Sequence, residues 1–218
     1  MTSENMLVKY GFSVREPAII GPIAANFYGT VMKTAVFPRV YGASWEHHRY
    51  FIKFIYERIR GRRVLELGVG SGETADLLPA DNAYAGVDRS PALLSVASRK
   101  FRRAGFPEPR FCRGPVEDLL FRDGSFDYAL CSLTLAHTND PMAAVGEAAR
   151  VLADGGELIG CEPVPERSRA ATELPGTPRS AESLEILFGN SGFTFEPLDF
   201  ENGSLLYFLA RNRPGSPA

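Results

Sequence analysis

Short apolar runs alternating with stretches of helical periodicity organise most of this chain. Val64–Leu67, Tyr84–Val87, Arg110–Cys112, Phe126–Cys131 and Glu157–Cys161 are each three to six residues long and bounded by turn formers. Runs of this kind are expected of strands buried on both faces. Helical patterns separate them: from Ser71 or Gly72 to about Leu78, from Pro91 to Ala104, and from Asp140-Pro141 to Leu152. Ser90 is placed as an N-cap with Pro91 at the first helical position. Asp154-Gly155-Gly156 turns into the fifth strand, and a loop without periodicity runs from Glu162 to Thr177. A helix over Ser180–Asn190, ended by Gly192, precedes two strands, Phe193–Phe200 and Leu205–Ala210, joined as a hairpin across Asn202-Gly203. Strict alternation predicts an α/β fold with a parallel sheet covered on both faces, and the hairpin requires the last strand to reverse.

The first sixty residues read differently. They are rich in aromatics and punctuated by Pro17, Pro22 and Pro38. Two helices fit, Pro17 to Ala35 and Ser44 to Arg60, the second with Phe51, Ile52, Ile55 and Ile59 as an apolar stripe. The expected organisation is an N-terminal helical lid over 1–60, a core domain over 61–213, and a disordered tail over 214–218.

Charge and cysteine content narrow the partners. A formal charge of −2 over 218 residues gives no electrostatic case for nucleic acid. Cys112, Cys131 and Cys161 match no zinc spacing, so no metal is expected. An apolar run long enough to span a bilayer is missing, as is a secretory h-region, and the expectation is a cytoplasmic protein, monomer or homodimer, without integral membrane association. His47 and His48 are adjacent on a helix, so at most one faces a pocket.

The chemistry concentrates after the first strand. Val64-Leu65-Glu66-Leu67-Gly68-Val69-Gly70-Ser71-Gly72 reads as a strand breaking into a glycine turn, and Asp88 ends the next strand twenty residues past Gly68. Glycines there let backbone approach a ligand, and the acid can chelate a ribose diol. The G-x-G-x-G spacing, with Glu66 two residues ahead and Glu73 where a dinucleotide fingerprint has its third glycine, points to S-adenosylmethionine.

With Leu65–Gly72, Gly86-Val87-Asp88-Arg89-Ser90, Val116-Glu117-Asp118-Leu119, Asp123-Gly124-Ser125-Phe126-Asp127 and Glu147–Leu152 running into Gly155-Gly156, the chain resembles the class I S-adenosylmethionine-dependent methyltransferases. The resemblance covers Arg63 to Ala210 and is greatest to the small-molecule branch that includes the ubiquinone/menaquinone-biosynthesis methyltransferases. It implies a Rossmann-like, seven-stranded, mostly parallel sheet with an antiparallel last strand and helices on both faces. It further implies that Gly68, Val69, Gly70 and Gly72 line the methionine portion, with Glu66 near its ammonium group. Asp88, with Arg89 beside it, would hold the ribose, Val116 and Glu117 would border adenine, and Cys131 and Ser132 would meet the amino-acid end. Pro115 stands where the family often has an aspartate for the adenine amino group, so adenine must be held differently, with Glu117 the alternative.

The acceptor side is more open. His137 reads either as a general base or as a wall residue. Tyr28, Tyr41 and Trp45 read as core packing or as the wall of a substrate pocket, and Glu162 as a substrate contact or a solvated strand end. The expected function is methyl transfer from S-adenosylmethionine, leaving S-adenosylhomocysteine, to oxygen or nitrogen of a small apolar or aromatic metabolite. A quinone or lipid head-group acceptor is the close variant. A nicotinamide-dependent oxidoreductase and a non-catalytic relative are the competing readings.

Overall fold

A computed structural model describes residues 21–169 and 171–213. Seven strands form one sheet: β1 (Arg63–Leu67), β2 (Ala83–Asp88), β3 (Arg110–Arg113), β4 (Phe126–Ser132), β5 (Leu152–Pro163), β6 (Phe193–Pro197) and β7 (Leu205–Asn212). Their order is β3-β2-β1-β4-β5-β7-β6, with β7 antiparallel to both neighbours. Among the described residues, the α-helices of ten residues or more are α1 (Pro22–Val31), α2 (Trp45–Tyr56), α3 (Pro91–Arg103), α4 (Pro141–Val151) and α5 (Ala181–Asn190). The side chains of Ser44, Ser90, Asp140 and Ser180 accept from the first-turn amides of α2, α3, α4 and α5, as their sequence positions predict.

The period of two along each strand sorts the core into two layers. Val64, Tyr84, Leu130, Ile159, Cys161 and Tyr207 face one side, where they pack with Val36, Phe37, Ile52 and Tyr56 of the N-terminal segment and Leu93, Val96 and Phe101 of α3. Leu65, Leu67, Val87, Ala129, Cys131, Leu158 and Phe208 face the other, against α4 and α5. The described part of the N-terminal segment is therefore built into the sheet's own core.

Several expected boundaries differ. The helix expected after the glycine turn is a single 3₁₀ turn, Glu73–Asp76. Thr74 is held by Glu66 at its start, and Pro79 follows closely. Gly72 sits at φ +75° with Ala97 Cα only 2.7 Å from where a Cβ would stand. Gly72→Ala combines left-handed strain with overpacking and is expected to cost about 3 kcal/mol, read as a fall in thermal midpoint.

The first N-terminal helix begins at Pro22, passes through a π-helical turn over Met32–Val36 and ends at Arg39. Pro17 to Ile20 and the 214–218 tail lie outside the described residues. The second helix stops at Tyr56, four residues short of Arg60. The Asn202-Gly203 turn does not close a tight hairpin. β6 ends at Pro197, and Asn202 turns its amide onto Ser44, accepting from its N at 2.7 Å and donating to its O at 3.0 Å.

Candidate active site

The C-terminal ends of β1, β2 and β4 open beneath the N-terminal helices into a cavity of about 460 Å³. That size suits a small-molecule or cofactor site. Glu66, Asp88 and Ser132 share the strand face of Val64 and Tyr84, and all three border the cavity. The glycine turn borders it as well. Gly68 and Val69 donate to Val87 O at 2.9 and 3.1 Å, drawing the turn across the end of β2. Gly68 and Gly70 take φ of +71° and +54°. A Cβ at Gly68 would lie 2.3 Å from Thr134 Oγ1, so the turn can approach the end of β4 only as glycine.

Three carboxylates define the polar end. Asp88 Oδ2 accepts from Gly70 N and Oδ1 from Ser90 N, both at 2.8 Å, leaving one lone pair on each oxygen for a ligand. Burial raises its pKa, and the two amides pull it back. Glu66 accepts from Thr74 Oγ1 at 2.7 Å and from Tyr84 Oη, and burial pushes its carboxyl up to about 7. Glu117 Oε1 accepts from Arg89 at 3.1 Å and Asn139 N at 3.0 Å. Its Oε2 is buried with no partner among the described residues. An acceptor left open in a desolvated site is costly unless a ligand donor completes it.

The far end is apolar. Val36, Phe37, Tyr41, Trp45, Ile52 and Tyr56 line it, with Phe37 edge-on to Trp45 at 5.0 Å. Tyr28 lies at the boundary, its hydroxyl pushed up to about 12 by burial and by Asp88. Lys33 from the N-terminal segment lies 5.0 Å over the Trp45 ring and pairs, together with Lys100 of α3, with Glu73.

Residues 65–160 match the methyltransferase domain family. Over this stretch, just under half of its length, the chain is similar to methyltransferase domains. Curated relatives are longer proteins: the chain is 38% identical over 98 residues to the uncharacterized methyltransferase YcgJ of Bacillus subtilis, covering 44% of this chain and 39% of that one. It is 33% identical over 147 residues to the demethylmenaquinone methyltransferase of Thermus thermophilus, covering 66% and 61%. The chain thus spans less than two thirds of these curated relatives. A Thermotoga maritima structure described as an S-adenosylmethionine-dependent methyltransferase and possible histamine N-methyltransferase superposes with a TM-score of 0.65. That match is 20% identical and covers 90% of this chain and 99% of that chain, so it bears on the fold alone.

Within the matched residues, Glu66, Gly68, Val69, Gly70, Asp88, Arg89, Val116, Glu117, Ser132 and His137 all border one cavity, together with Tyr28, Tyr41 and Trp45. Three expected site residues do not. Cys131 lies on the opposite strand face from Ser132, fully buried among Leu67, Ala129 and Leu135. Gly72 turns toward α3, where its role is close packing on Ala97. Glu162, 2% exposed, is not a solvated strand end and does not border the cavity. It is one residue out of phase with Cys161 and accepts from Thr134 N, Leu135 N and Ala136 N at 2.7, 2.8 and 3.2 Å, pinning the turn after β4.

Sequence reasoning did not select His48, Phe37, Tyr56 or Thr134, which all border the cavity. His47 is exposed while His48 is buried, and the amphipathic phase of α2, set by Ile52 and Tyr56, carries that signal. Leu133 at φ +56° leaves none, because nothing in its side chain asks for a left-handed backbone.

The buried acids have a measurable consequence. Glu66 ionises near 4.5 when unfolded and near 7 when folded, so the folded chain holds a proton that the unfolded chain has released between those values. Its contribution to stability is therefore lost as pH rises through this window. His48 and His137, both lowered by burial, work in the opposite direction. Urea denaturation of wild type and Glu66→Gln isolates the carboxyl: the variant should gain on wild type from pH 5 to 7.5, by on the order of 3 kcal/mol.

Proposed function

We propose that this chain transfers a methyl group from S-adenosylmethionine to a small, largely apolar acceptor held beneath its N-terminal helices. The observation that carries the reading is the pairing, in one cavity, of two carboxylates with acceptor capacity left over among the described residues: Asp88 with a lone pair on each oxygen, and Glu117 with its Oε2. A ribose diol offers two donors to the first, and the adenine amino group offers one to the second, which answers the loss of an acceptor at Pro115. Gly68 and Gly70 leave backbone accessible beside Glu66, whose carboxylate suits an α-ammonium group. The residues fit the cofactor at each of its ends.

When bound, S-adenosylmethionine supplies a methyl group on a positively charged sulfur, an electrophile that needs little further activation. The protein's work is then alignment and exclusion of water. Alignment of this kind accounts for roughly 7–11 kcal/mol of barrier lowering, against a factor of about 10² to 10⁴ from a general base. The aromatic wall of Phe37, Tyr41, Trp45 and Tyr56 keeps the acceptor dry and oriented. His137, kept neutral by burial at the cavity edge, can take a proton from an acceptor hydroxyl or amine. A quinone-like acceptor is the close variant, supported by the demethylmenaquinone methyltransferase relative and the aromatic lining.

Incubation with methyl-labelled S-adenosylmethionine and a small-molecule extract tests the reading. Label should enter organic-soluble metabolites, and label confined to macromolecules would contradict it. Glu117→Ala removes the acceptor for the adenine amino group and should weaken S-adenosylhomocysteine binding about tenfold in calorimetry.

A further inference from the structure

The aromatic end of the cavity contains a buried imidazole that methyl transfer as described does not use. His48 on α2 is 6% exposed, with ring centroids 4.9 Å from Phe37, 5.2 Å from Trp45 and 5.8 Å from Tyr207. Burial pushes its pKa down to about 4, so the ring is neutral at physiological pH. A neutral imidazole has one N–H and one lone pair, and its neighbours decide which nitrogen holds which.

Here the neighbours form a directed chain. Asn202 is fixed by Ser44: its Oδ1 accepts from Ser44 N at 2.7 Å and its Nδ2 donates to Ser44 O at 3.0 Å. The second Nδ2 hydrogen goes to Tyr207 Oη at 3.0 Å. Tyr207 Oη lies 2.9 Å from His48 Nδ1, the acceptor available for its own proton among the described residues. Nδ1 is thus the lone-pair nitrogen, and the ring proton sits on Nε2. No described residue accepts from Nε2, and the imidazole borders the cavity.

We propose that His48 Nε2–H is the polar recognition group of the acceptor compartment, donating to a carbonyl or hydroxyl oxygen on an otherwise apolar, ring-bearing substrate. The identification of this occupant with the methyl acceptor rests on the function proposed above. The donor itself does not. Three aligned hydrogen bonds, Asn202 to Tyr207 to His48 to ligand oxygen, polarise one another and select an acceptor atom. A protonated amine would set N–H against N–H in a dry site, so the compartment discriminates against it. His48 acts by positioning: its lone pair is committed to Tyr207, which leaves it unable to serve as the base.

Two measurements test this without knowledge of the natural substrate. Long-range ¹⁵N spectra of histidine-labelled protein should show His48 as the Nε2–H form, and Tyr207→Phe should release it into a tautomer mixture. Acetophenone and ethylbenzene are near-isosteric probes that differ by a carbonyl oxygen. Wild type should bind the ketone about tenfold more tightly than the hydrocarbon, the yield of one neutral hydrogen bond in a dry site. His48→Phe should abolish that preference while keeping hydrocarbon binding, and His48→Gln should restore part of it. An Nδ1–H form in wild type, or equal binding of the two probes, would overturn the proposal. S-adenosylhomocysteine titrated into the same samples separates the two claims. Cofactor binding without ketone preference removes only the role of His48, and ketone preference without cofactor binding removes only methyl transfer.

Discussion

Asp88→Ala should weaken S-adenosylhomocysteine binding by roughly 10² to 10⁴-fold while the protein stays folded. Each charge-assisted hydrogen bond to a carboxylate is worth about 1.5–3 kcal/mol, and a ribose diol makes two. The carboxylate also orders its surroundings, since Oδ2 holds Gly70 N and Oδ1 holds Ser90 N, each at 2.8 Å. Truncation therefore loosens the glycine turn that approaches the ligand. Asp88→Asn keeps one acceptor and adds a donor, and should fall between the two. Calorimetry, with circular dichroism as the control for folding, reads both. An Asp88→Ala protein that binds within threefold of wild type would remove the ribose assignment.

Glu162→Ala should be the most destabilising single change at the site. The carboxylate accepts three buried backbone amides, from Thr134, Leu135 and Ala136. Removing it leaves those amides without a partner, at a cost of about 3–5 kcal/mol, or about 10 °C in thermal midpoint for a domain of this size. Ser132, Thr134 and His137 border the cavity from the same turn, so activity should fall with stability. Glu162→Gln retains a carbonyl oxygen and should lose less than half as much. Differential scanning calorimetry of the two variants distinguishes a capping role from substrate contact, because a substrate contact would leave the thermal midpoint of the unliganded protein unchanged.

The fold was legible wherever local pattern and tertiary demand agree. Val64–Leu67 and Tyr84–Val87 are apolar enough to be strands in no other setting, and Ser90-Pro91 and Asp140-Pro141 mark helix starts that the structure keeps. The helix expected after Gly72 was lost because Thr74 is drawn to Glu66, an interaction across elements that no local window contains. Cys131 and Glu162 lie off the cavity for a reason the sequence did hold. Along β4 and β5 the side chains alternate, so Ser132 and Cys131 cannot both meet one cavity, nor can Cys161 and Glu162 share a face. Applying the period of two to the strand ends, beyond the apolar runs, would have separated them. His48 is the complementary case. Its burial follows from the phase of Ile52 and Tyr56, but its chemistry comes from Tyr207 and Asn202, more than 150 residues away in sequence.

A calorimetric titration of the purified chain with S-adenosylhomocysteine, repeated with NAD, bears most directly on the nucleoside site. The account predicts saturable one-to-one binding of S-adenosylhomocysteine and no measurable heat with NAD. Silence with S-adenosylhomocysteine, or binding of NAD in its place, would contradict it.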